Sequence, residues 1–169
     1  MQKLYLDCDG VILDTINKSY KMIQEKGLTT EVQRKKFYSN ICWETLIIES
    51  GEINNSIKKI KELTKYFDIE ILTHVNSEKE VQAKVKYFNK ELPGINVITV
   101  PREIKKADFV KANNIVLVDD YLPNLEYWEE QGGIPIKFSD SVKVCKYPVI
   151  TDLLELINIF NKDKIEVKE

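Results

Sequence analysis

Four aspartates stand directly after two short apolar segments of this sequence, and a threonine follows a third. Asp7 and Asp9 end the first segment, Thr73 ends the second, and Asp119 and Asp120 end a later one. Short apolar segments of this kind predict buried strands of a parallel sheet, whose carboxyl ends meet at one edge. We therefore expect these five side chains to share one crevice. The alternative interpretation is that the aspartates are loop residues that cap helices.

Four carboxylates in one crevice repel one another. Two unit charges ~4 Å apart interact by about 4 kcal/mol at an effective dielectric constant of ~20. Some of these carboxyl groups must therefore be protonated, or a cation must be bound beside them. A set of oxygen ligands with no neighbouring cluster of His or Cys ligands favours Mg²⁺ over zinc. Such a site suits phosphoryl chemistry, in which an Asp carboxylate can act as the nucleophile.

Apolar segments alternate with amphipathic ones along most of the chain, and this alternation predicts the fold. Five segments have the composition of strands, at residues 4–6, 69–72, 95–100, 115–118 and 134–138. The last contains Pro135, which favours an edge strand over a central one. We predict an α/β protein with a Rossmann-like, doubly wound parallel sheet.

Helix signals lie between these strands. Ser77 followed by Glu80 resembles a capping box, and Thr151 is a candidate cap for a final helix. Residues 121–131 carry the start and stop signals of another helix. The buried face predicted for the helix after Ser77 consists of Val81, Val85, Phe88 and Leu92.

Residues 15–66 interrupt the alternation because they contain no convincing strand. Their apolar residues recur at helical spacing and predict three or four short helices inserted after the first strand. We therefore predict a core domain at residues 1–14 and 67–169, with a small α-helical cap at 15–66. Phe37, Tyr38 and Trp43 in this cap could stack on a nucleobase, or could form the cap's own small core.

Composition narrows the range of partners. The 169 residues carry 25 Lys and Arg against 27 Asp and Glu, and the net charge of −2 argues against a nucleic-acid polymer or a membrane surface as partner. The three cysteines match no zinc or redox motif, which favours a reduced, cytoplasmic setting. No segment has the length of a membrane span, and the apolar N-terminus is too short for a signal peptide.

The first acidic segment resembles a known family motif. Asp7-Cys8-Asp9-Gly10-Val11-Ile12-Leu13-Asp14-Thr15 is similar to the first motif of the haloacid dehalogenase (HAD) superfamily, an apolar strand followed by Asp-x-Asp-Gly. The resemblance implies that Asp7 attacks phosphorus and forms an aspartyl-phosphate. It also implies that Asp9 protonates the leaving group and then activates water. Mg²⁺ would be bound by the Asp7 carboxylate, the Asp9 backbone carbonyl and an acidic residue of the last motif.

The later motifs of the superfamily also have counterparts here. Thr73 resembles the second motif, in which a hydroxyl binds phosphoryl oxygens, and His74 beside it is a candidate substrate contact. Lys106 is our choice for the lysine of the third motif, which neutralises phosphate and nucleophile, with Lys105 as the alternative. Asp119-Asp120 resembles the fourth motif, and the sequence leaves open which of the two touches the metal.

The C-terminal half narrows the resemblance to one branch. Residues 118–125, Trp128 and residues 132–138 resemble the 5′-nucleotidase branch, which includes deoxyribonucleotidases. This implies a Mg²⁺-dependent phosphatase that hydrolyses a small phosphomonoester, with a (deoxy)nucleoside 5′-monophosphate as candidate substrate. Two alternatives stay open. One is a phosphotransferase or mutase of the same superfamily, and the other is a binding module that keeps the fold without turnover.

Overall fold

Six strands, all parallel, form a single sheet. The computed structural model describes residues 1–141 and 144–165, and side chains only as far as residue 160. The sheet order is β3-β2-β1-β4-β5-β6. The predicted α/β fold with a parallel sheet is therefore confirmed. The strands are β1 (Gln2–Leu6), β2 (Phe67–Val75), β3 (Asn96–Pro101), β4 (Val116–Asp119), β5 (Ile134–Phe138) and β6 (Val149–Ile150).

Helices connect these strands and cover the sheet. The helices are α1 (Thr15–Glu25), α2 (Glu31–Asn40), α3 (Trp43–Ser50), α4 (Ser56–Leu63), α5 (Glu78–Glu91), α6 (Lys106–Phe109), α7 (Leu122–Glu130) and α8 (Glu155–Ile165). Ser77 caps α5, since its hydroxyl accepts a hydrogen bond from the Glu80 N–H at 3.2 Å. The predicted capping box is only half formed, because the Glu80 carboxylate accepts from the Asn76 N–H and not from the Ser77 N–H. None of the helices within the described residues combines the length and apolarity that crossing a bilayer requires.

The central strand β1 separates two apolar layers. Leu4 and Leu6 belong to one hydrophobic cluster, and Tyr5 between them belongs to another, as strand alternation requires. Tyr5 meets Trp128 edge to face with ring centroids 5.8 Å apart, and the Trp128 indole N–H donates to the Ile115 carbonyl. Both faces of β1 are therefore buried, as expected of a central strand in a parallel sheet.

The expectation that Pro135 marks an edge strand was wrong. β5 lies between β4 and the two-residue strand β6. The Ile134 N–H donates toward β4, to the Ile115 carbonyl, and the Lys137 N–H donates toward β6, to the Pro148 carbonyl. The backbone nitrogen of Pro135 therefore faces the β6 side of the strand. β6 pairs with β5 only from Lys137 onward, so the lack of an N–H at Pro135 costs no sheet hydrogen bond.

Two helix predictions also needed correction. The buried residues of α5 are Glu80, Ala83, Lys84 and Phe88, whereas Val81 and Val85 are half-buried. The final helix begins at Glu155 rather than just after Thr151. The Glu155 carboxylate accepts hydrogen bonds from the backbone N–H groups of Thr151 and Asp152, so these residues form a turn before the helix.

The helices α1 to α4 occupy the stretch predicted as a cap. Their buried residues Trp43, Leu46, Ile57 and Ile60 belong to the same hydrophobic cluster as Leu4. α3 packs against α1 and against α5, the helix that follows β2. The insertion is thus anchored on the core of the sheet, and the proposed division at residues 15–66 stays a prediction.

Candidate active site

A buried lysine connects the ends of β1 and β4. Lys106, at the first turn of α6, is 3% exposed, and its ammonium lies 2.8 Å from Asp7 Oδ1 and 2.7 Å from Asp119 Oδ2. Lys105, the alternative candidate, instead places its ammonium 3.7 Å from the centroid of the Tyr127 ring. Of the two lysines, Lys106 is therefore the one beside the candidate nucleophile.

The two aspartates at the carboxyl end of β4 have different surroundings. Asp119 is fully buried, and its oxygens accept hydrogen bonds from the Tyr121 N–H at 2.8 Å, from the Asn124 amide at 2.9 Å and from Lys106. The Asp120 carboxylate is half-buried and accepts no hydrogen bond from the described residues. Asp120 thus keeps its ligand oxygens available, while those of Asp119 are held by the protein.

These aspartates and Asp7 form a group that fits a divalent cation. One oxygen each of Asp7, Asp119 and Asp120 lies within 4.8 Å of the other two. Burial raises the pKa of Asp7 to about 7, against the attraction of Lys106. Burial and repulsion from Asp7 and Asp119 raise the pKa of Asp120 to about 8. A hard cation would relieve this repulsion, and clustered carboxylate oxygens are the ligands that Mg²⁺ prefers.

A glycine sets the distance between the first and fourth motifs. Gly10 has φ +81°, in the left-handed region, and a Cβ on it would lie 2.3 Å from Asp120 Oδ2. The loop after β1 can therefore approach the Asp120 carboxylate only because residue 10 has no side chain.

Asp9 is held by two hydrogen bonds on the other side of the site. Its Oδ1 accepts from the Thr15 hydroxyl at 2.6 Å, and its Oδ2 lies 2.6 Å from the Lys84 ammonium. Burial alone would raise the pKa of Asp9, but the Lys84 charge and the two hydrogen bonds lower it below its usual value. Asp9 is therefore oriented as a carboxylate anion.

Lys84 is completely buried, although it lies on a helix rich in charged residues. Its ammonium also lies 2.8 Å from Glu80 Oε1, 2.9 Å from Thr73 Oγ1 and 3.0 Å from the His74 carbonyl oxygen. The Glu80 carboxylate is itself 1% exposed and accepts from the backbone and side chain of Asn76. Removing one member of such a buried ion pair typically costs about 3–5 kcal/mol, since it leaves an unpaired charge.

Thr73 and His74 lie inside β2 rather than after it, because the strand continues to Val75. Thr73 is fully buried, and its hydroxyl donates a long hydrogen bond of 3.3 Å to the His74 carbonyl. The His74 ring contacts the Ile104 carbonyl at 2.9 Å, and burial lowers the pKa of His74 despite that hydrogen bond.

A cleft of about 510 Å³ opens beside Asp9. Tyr38, Trp43 and His74 line it, so these three predicted substrate contacts face the same space. Phe37 does not line it and instead borders a separate groove with Met22. The Tyr38 and Trp43 rings lie nearly parallel, at 22°, with centroids 6.3 Å apart.

Two arginines give the same cleft positive charge. Arg34, one helical turn before Tyr38 on α2, and Arg102, just after β3, both line the cleft and are exposed. Neither forms an ion pair with a carboxylate of the described residues, whereas Asp9 and Glu80 are both paired with Lys84. The two arginines are therefore the positive groups of this cleft that no carboxylate of the described residues pairs, and they are available to a bound anion.

Sequence reasoning missed Lys84, Glu80, Arg34 and Arg102. A Glu and a Lys four residues apart on a charged helix are typical of an exposed ion pair, so no sequence signal marked them as buried. The arginines stand beside other charged residues, and only the folded chain brings them to the cleft.

Comparison with known proteins supports the fold. No protein-family model matches the chain, and no curated protein sequence matches it. Among solved structures, a protein of Bacillus subtilis, YfnB, described as a HAD hydrolase and bound to magnesium, superposes with a TM-score of 0.63 over 95% of this chain and 98% of its own, at 14% identity. The chain has the fold of HAD-superfamily hydrolases.

Other proteins with this fold act on different substrates. D,D-heptose 1,7-bisphosphate phosphatase from Burkholderia thailandensis superposes with a TM-score of 0.58 over 96% of this chain and 99% of its own, at 14% identity. A dehalogenase superposes with a TM-score of 0.60 over 96% and 98%, at 11% identity. These superpositions show that the chain has the HAD fold. Because the sequence identities are so low, the assignment to the 5′-nucleotidase branch stays a prediction.

Proposed function

We propose that this chain is a Mg²⁺-dependent phosphatase that hydrolyses a small phosphomonoester, with Asp7 as the nucleophile. The contact that carries the proposal is the 2.8 Å ion pair between Asp7 and the buried Lys106, beside the carboxylates of Asp119 and Asp120. Lys106 holds one oxygen of Asp7 and supplies positive charge where a phosphoryl group would arrive. The HAD fold and the sequence motifs support the same assignment.

The reaction would proceed in two displacements. An Asp7 oxygen attacks phosphorus, the ester P–O bond breaks, and the leaving oxygen takes its electron pair together with a proton from Asp9. Asp9 then removes a proton from water, the water oxygen attacks phosphorus, and the Asp7 carboxylate and inorganic phosphate are released. Bound Mg²⁺ would offset the phosphoryl charge, and its ligands would be Asp7, Asp120 and the Asp9 backbone carbonyl.

Asp9 must gain a proton before it can act as the acid. In its resting arrangement it is an anion paired with Lys84 at 2.6 Å. Arrival of a dianionic phosphate ester beside Asp9 favours the protonated carboxyl, because like charges raise a pKa. Binding of the substrate can therefore itself favour the protonated form of Asp9.

The cleft beside Asp9 is where the leaving group would lie. Trp43 is only 6% exposed, so the half-buried Tyr38 offers the more accessible ring for a planar group. Arg34 and Arg102 favour a leaving group that carries its own negative charge. A nucleoside 5′-monophosphate supplies the planar group, and a bisphosphate or a phosphorylated acid supplies the charge.

The direct test is phosphate release from a panel of phosphomonoesters, with and without Mg²⁺. Wild type should release phosphate only with Mg²⁺, and Asp7→Asn should lower turnover by at least about 10³-fold because the nucleophile is lost. Asp68→Asn is the matched control. It makes the same change at an exposed carboxylate beside Lys3, at the amino-terminal end of β2. Wild-type turnover by Asp7→Asn would refute the mechanism.

Two further measurements separate the alternatives. Product analysis with a candidate acceptor alcohol present would detect phosphoryl transfer in place of hydrolysis. Mg²⁺ with beryllofluoride should form an aspartyl-phosphate mimic on Asp7. If wild type neither forms this adduct nor releases phosphate from any ester, the chain is a binding module without turnover.

A further inference from the structure

Two buried lysines lie on opposite sides of the candidate site. Lys106 contacts Asp7 and Asp119 on the nucleophile side, and Lys84 contacts Asp9 and Thr73 on the leaving-group side. Lys106 follows from the family resemblance, but Lys84 matches none of the superfamily motifs identified in the sequence. Its position requires an explanation of its own, because a lysine with 0% exposure is rarely tolerated without a specific set of partners.

The surroundings of Lys84 form a complete set of such partners. Its ammonium has three N–H donors and four oxygen atoms within 3.0 Å, from Asp9, Glu80, Thr73 and the His74 carbonyl. The Trp43 ring lies alongside, with its centroid 5.5 Å from Nζ. These four oxygens take up all three N–H donors of Lys84, so none is left for a bound ester.

Asp9 depends on this arrangement for its orientation. Lys84 holds Oδ2 and Thr15 holds Oδ1, each at 2.6 Å, so both oxygens of the carboxylate are fixed. The side chain of Asp9 is 23% exposed, and without Lys84 it could rotate toward the open cleft. A proton donor is effective only while it stays within hydrogen-bond reach of the oxygen that it protonates.

Thr73 depends on Lys84 for the direction of its hydroxyl. Because Thr73 Oγ1 accepts from Lys84 at 2.9 Å, its own hydrogen is left to be donated elsewhere. That hydrogen now makes only a 3.3 Å contact with the His74 carbonyl. A phosphoryl oxygen would be a stronger acceptor, so Lys84 prepares Thr73 as a donor.

We propose that Lys84 is a positioning residue, which holds the Asp9 carboxylate in the arrangement that protonation of the leaving group requires and directs the Thr73 hydroxyl toward a phosphoryl oxygen. This inference rests on the proposed function, in which Asp9 is the acid. It predicts a loss that depends on the leaving group. An alkoxide needs a proton to depart, whereas p-nitrophenolate departs without one.

The experiment compares p-nitrophenyl phosphate with an alkyl phosphate such as glycerol phosphate. Lys84→Met, which keeps length and removes charge, should lower kcat/KM by about 100-fold for the alkyl ester and by less than about 10-fold for the aryl ester. We compare kcat/KM because it reports the steps up to departure of the leaving group and excludes the later hydrolysis of the aspartyl-phosphate, in which Asp9 acts on water for both esters. Asp9→Asn should show the same selectivity. Lys106→Met should lose activity toward both esters, because Lys106 acts on the nucleophile.

A second variant keeps the experiment decisive if Lys84→Met does not fold. Lys84→Met leaves Asp9 and Glu80 without their cation, so Lys84→Met/Glu80→Gln restores the charge balance, and thermal unfolding shows whether each variant folds. Whichever Lys84 variant folds is assayed with both esters. Glu80→Gln alone keeps the Lys84–Asp9 contact, so its ratio of alkyl-ester to aryl-ester kcat/KM should equal that of wild type. An equal loss of kcat/KM for both esters, or none, in a folded Lys84 variant would overturn the proposal. If Asp7→Asn stays active, the proposed function itself has failed.

Discussion

Single residues decide which carboxylates of this site can reach a metal. Lys106, Asn124 and the Tyr121 N–H occupy the oxygens of Asp119, so that side chain is committed to the protein. Asp120 keeps its oxygens available and is approached closely by the loop that follows β1. We therefore expect Asp120, rather than Asp119, to be the direct ligand in the proposed Mg²⁺ site.

Gly10 should control Mg²⁺ affinity through this contact. Gly10→Ala would place a Cβ 2.3 Å from Asp120 Oδ2, so the carboxylate must move. We expect Mg²⁺ affinity, measured by calorimetric titration, to fall about 10–100-fold, as it does when groups that orient a ligand are disturbed. Gly94→Ala is the control, since φ is +89° there and nothing lies within 4 Å of an added Cβ. Equal affinities of the two variants would show that the close approach of residue 10 to Asp120 does not control Mg²⁺ binding.

Some site residues were recognisable from sequence, and others were not. Asp7, Thr73 and Asp119 follow or end buried apolar runs, so strand periodicity and sheet geometry alone predict that they converge. Lys84 was not recognised because the apolar residues Val81 and Val85 predict a different buried face for α5. In the structure these two valines are half-buried and Lys84 is buried. Burial of Lys84 depends on partners from β1 and β2, and such long-range pairing leaves no local pattern.

Some strands and turns could likewise be predicted from sequence, and others could not. The strand at residues 115–118 was predictable because a continuous apolar run marks a strand buried on both faces. The strand at 134–138 gives a weaker signal, since Lys137 interrupts its apolar residues. β6 has two residues, too few for any periodicity, and its existence removed the edge position expected for β5. The turn before α8 was also missed, because Glu155 binds the backbone of Thr151 from within the helix itself.

A link between elements predicts a pH-dependent stability. Lys59 on α4 pairs with Asp152 in the turn after β6, and the Asn54 amide donates to the neighbouring Thr151 carbonyl at 3.1 Å. Burial by itself would raise the pKa of Asp152. The hydrogen bonds from Lys59 and the Leu154 N–H outweigh burial and lower that pKa below its usual value. The stabilisation is therefore present above pH ~4, the unfolded pKa, and disappears as pH falls through the folded pKa.

Asp152→Asn should remove that stabilisation. We expect the free energy of unfolding at pH ~7 to fall by less than about 1 kcal/mol, since the carboxylate is partly exposed and screened by water. The difference from wild type, measured by urea unfolding, should shrink as the pH is lowered below ~4. In a Lys59→Met background the substitution should have a smaller effect. A difference that does not change with pH would show that the ion pair contributes nothing.

The whole molecule places its acidic residues at the point where the strand order reverses. From β1 the chain adds β2 and β3 on one side of the sheet and then β4, β5 and β6 on the other. The crevice at such a switch point is where α/β sheets bind ligands. Asp7 ends β1 and Asp119 ends β4, so the topology brings like charges together and makes the stability of the fold sensitive to their protonation.

The apo protein should therefore lose stability as pH rises toward 8. The raised pKa values of about 7 for Asp7 and about 8 for Asp120 mean that the folded chain keeps protons that the unfolded chain releases near pH 4. The folded state binds more protons across this window, so the free energy of unfolding decreases as pH rises through it. In EDTA, the Tm should fall by several degrees between pH ~5 and ~8.

Mg²⁺ should reverse that loss, because it binds the ionised carboxylates and stabilises only the folded state, by RT ln(1 + [Mg²⁺]/Kd). Protons compete with the cation at low pH, so the increase in Tm on adding Mg²⁺ should be small at pH ~5 and largest at pH ~8. Asp120→Asn removes one of the two proton-retaining carboxyls and a proposed ligand, and should both flatten the pH dependence in EDTA and weaken the response to Mg²⁺. A Tm increase of the same size at both pH values would show that the cation does not bind at these aspartates, and the assignment of the cluster as a metal site would then be wrong.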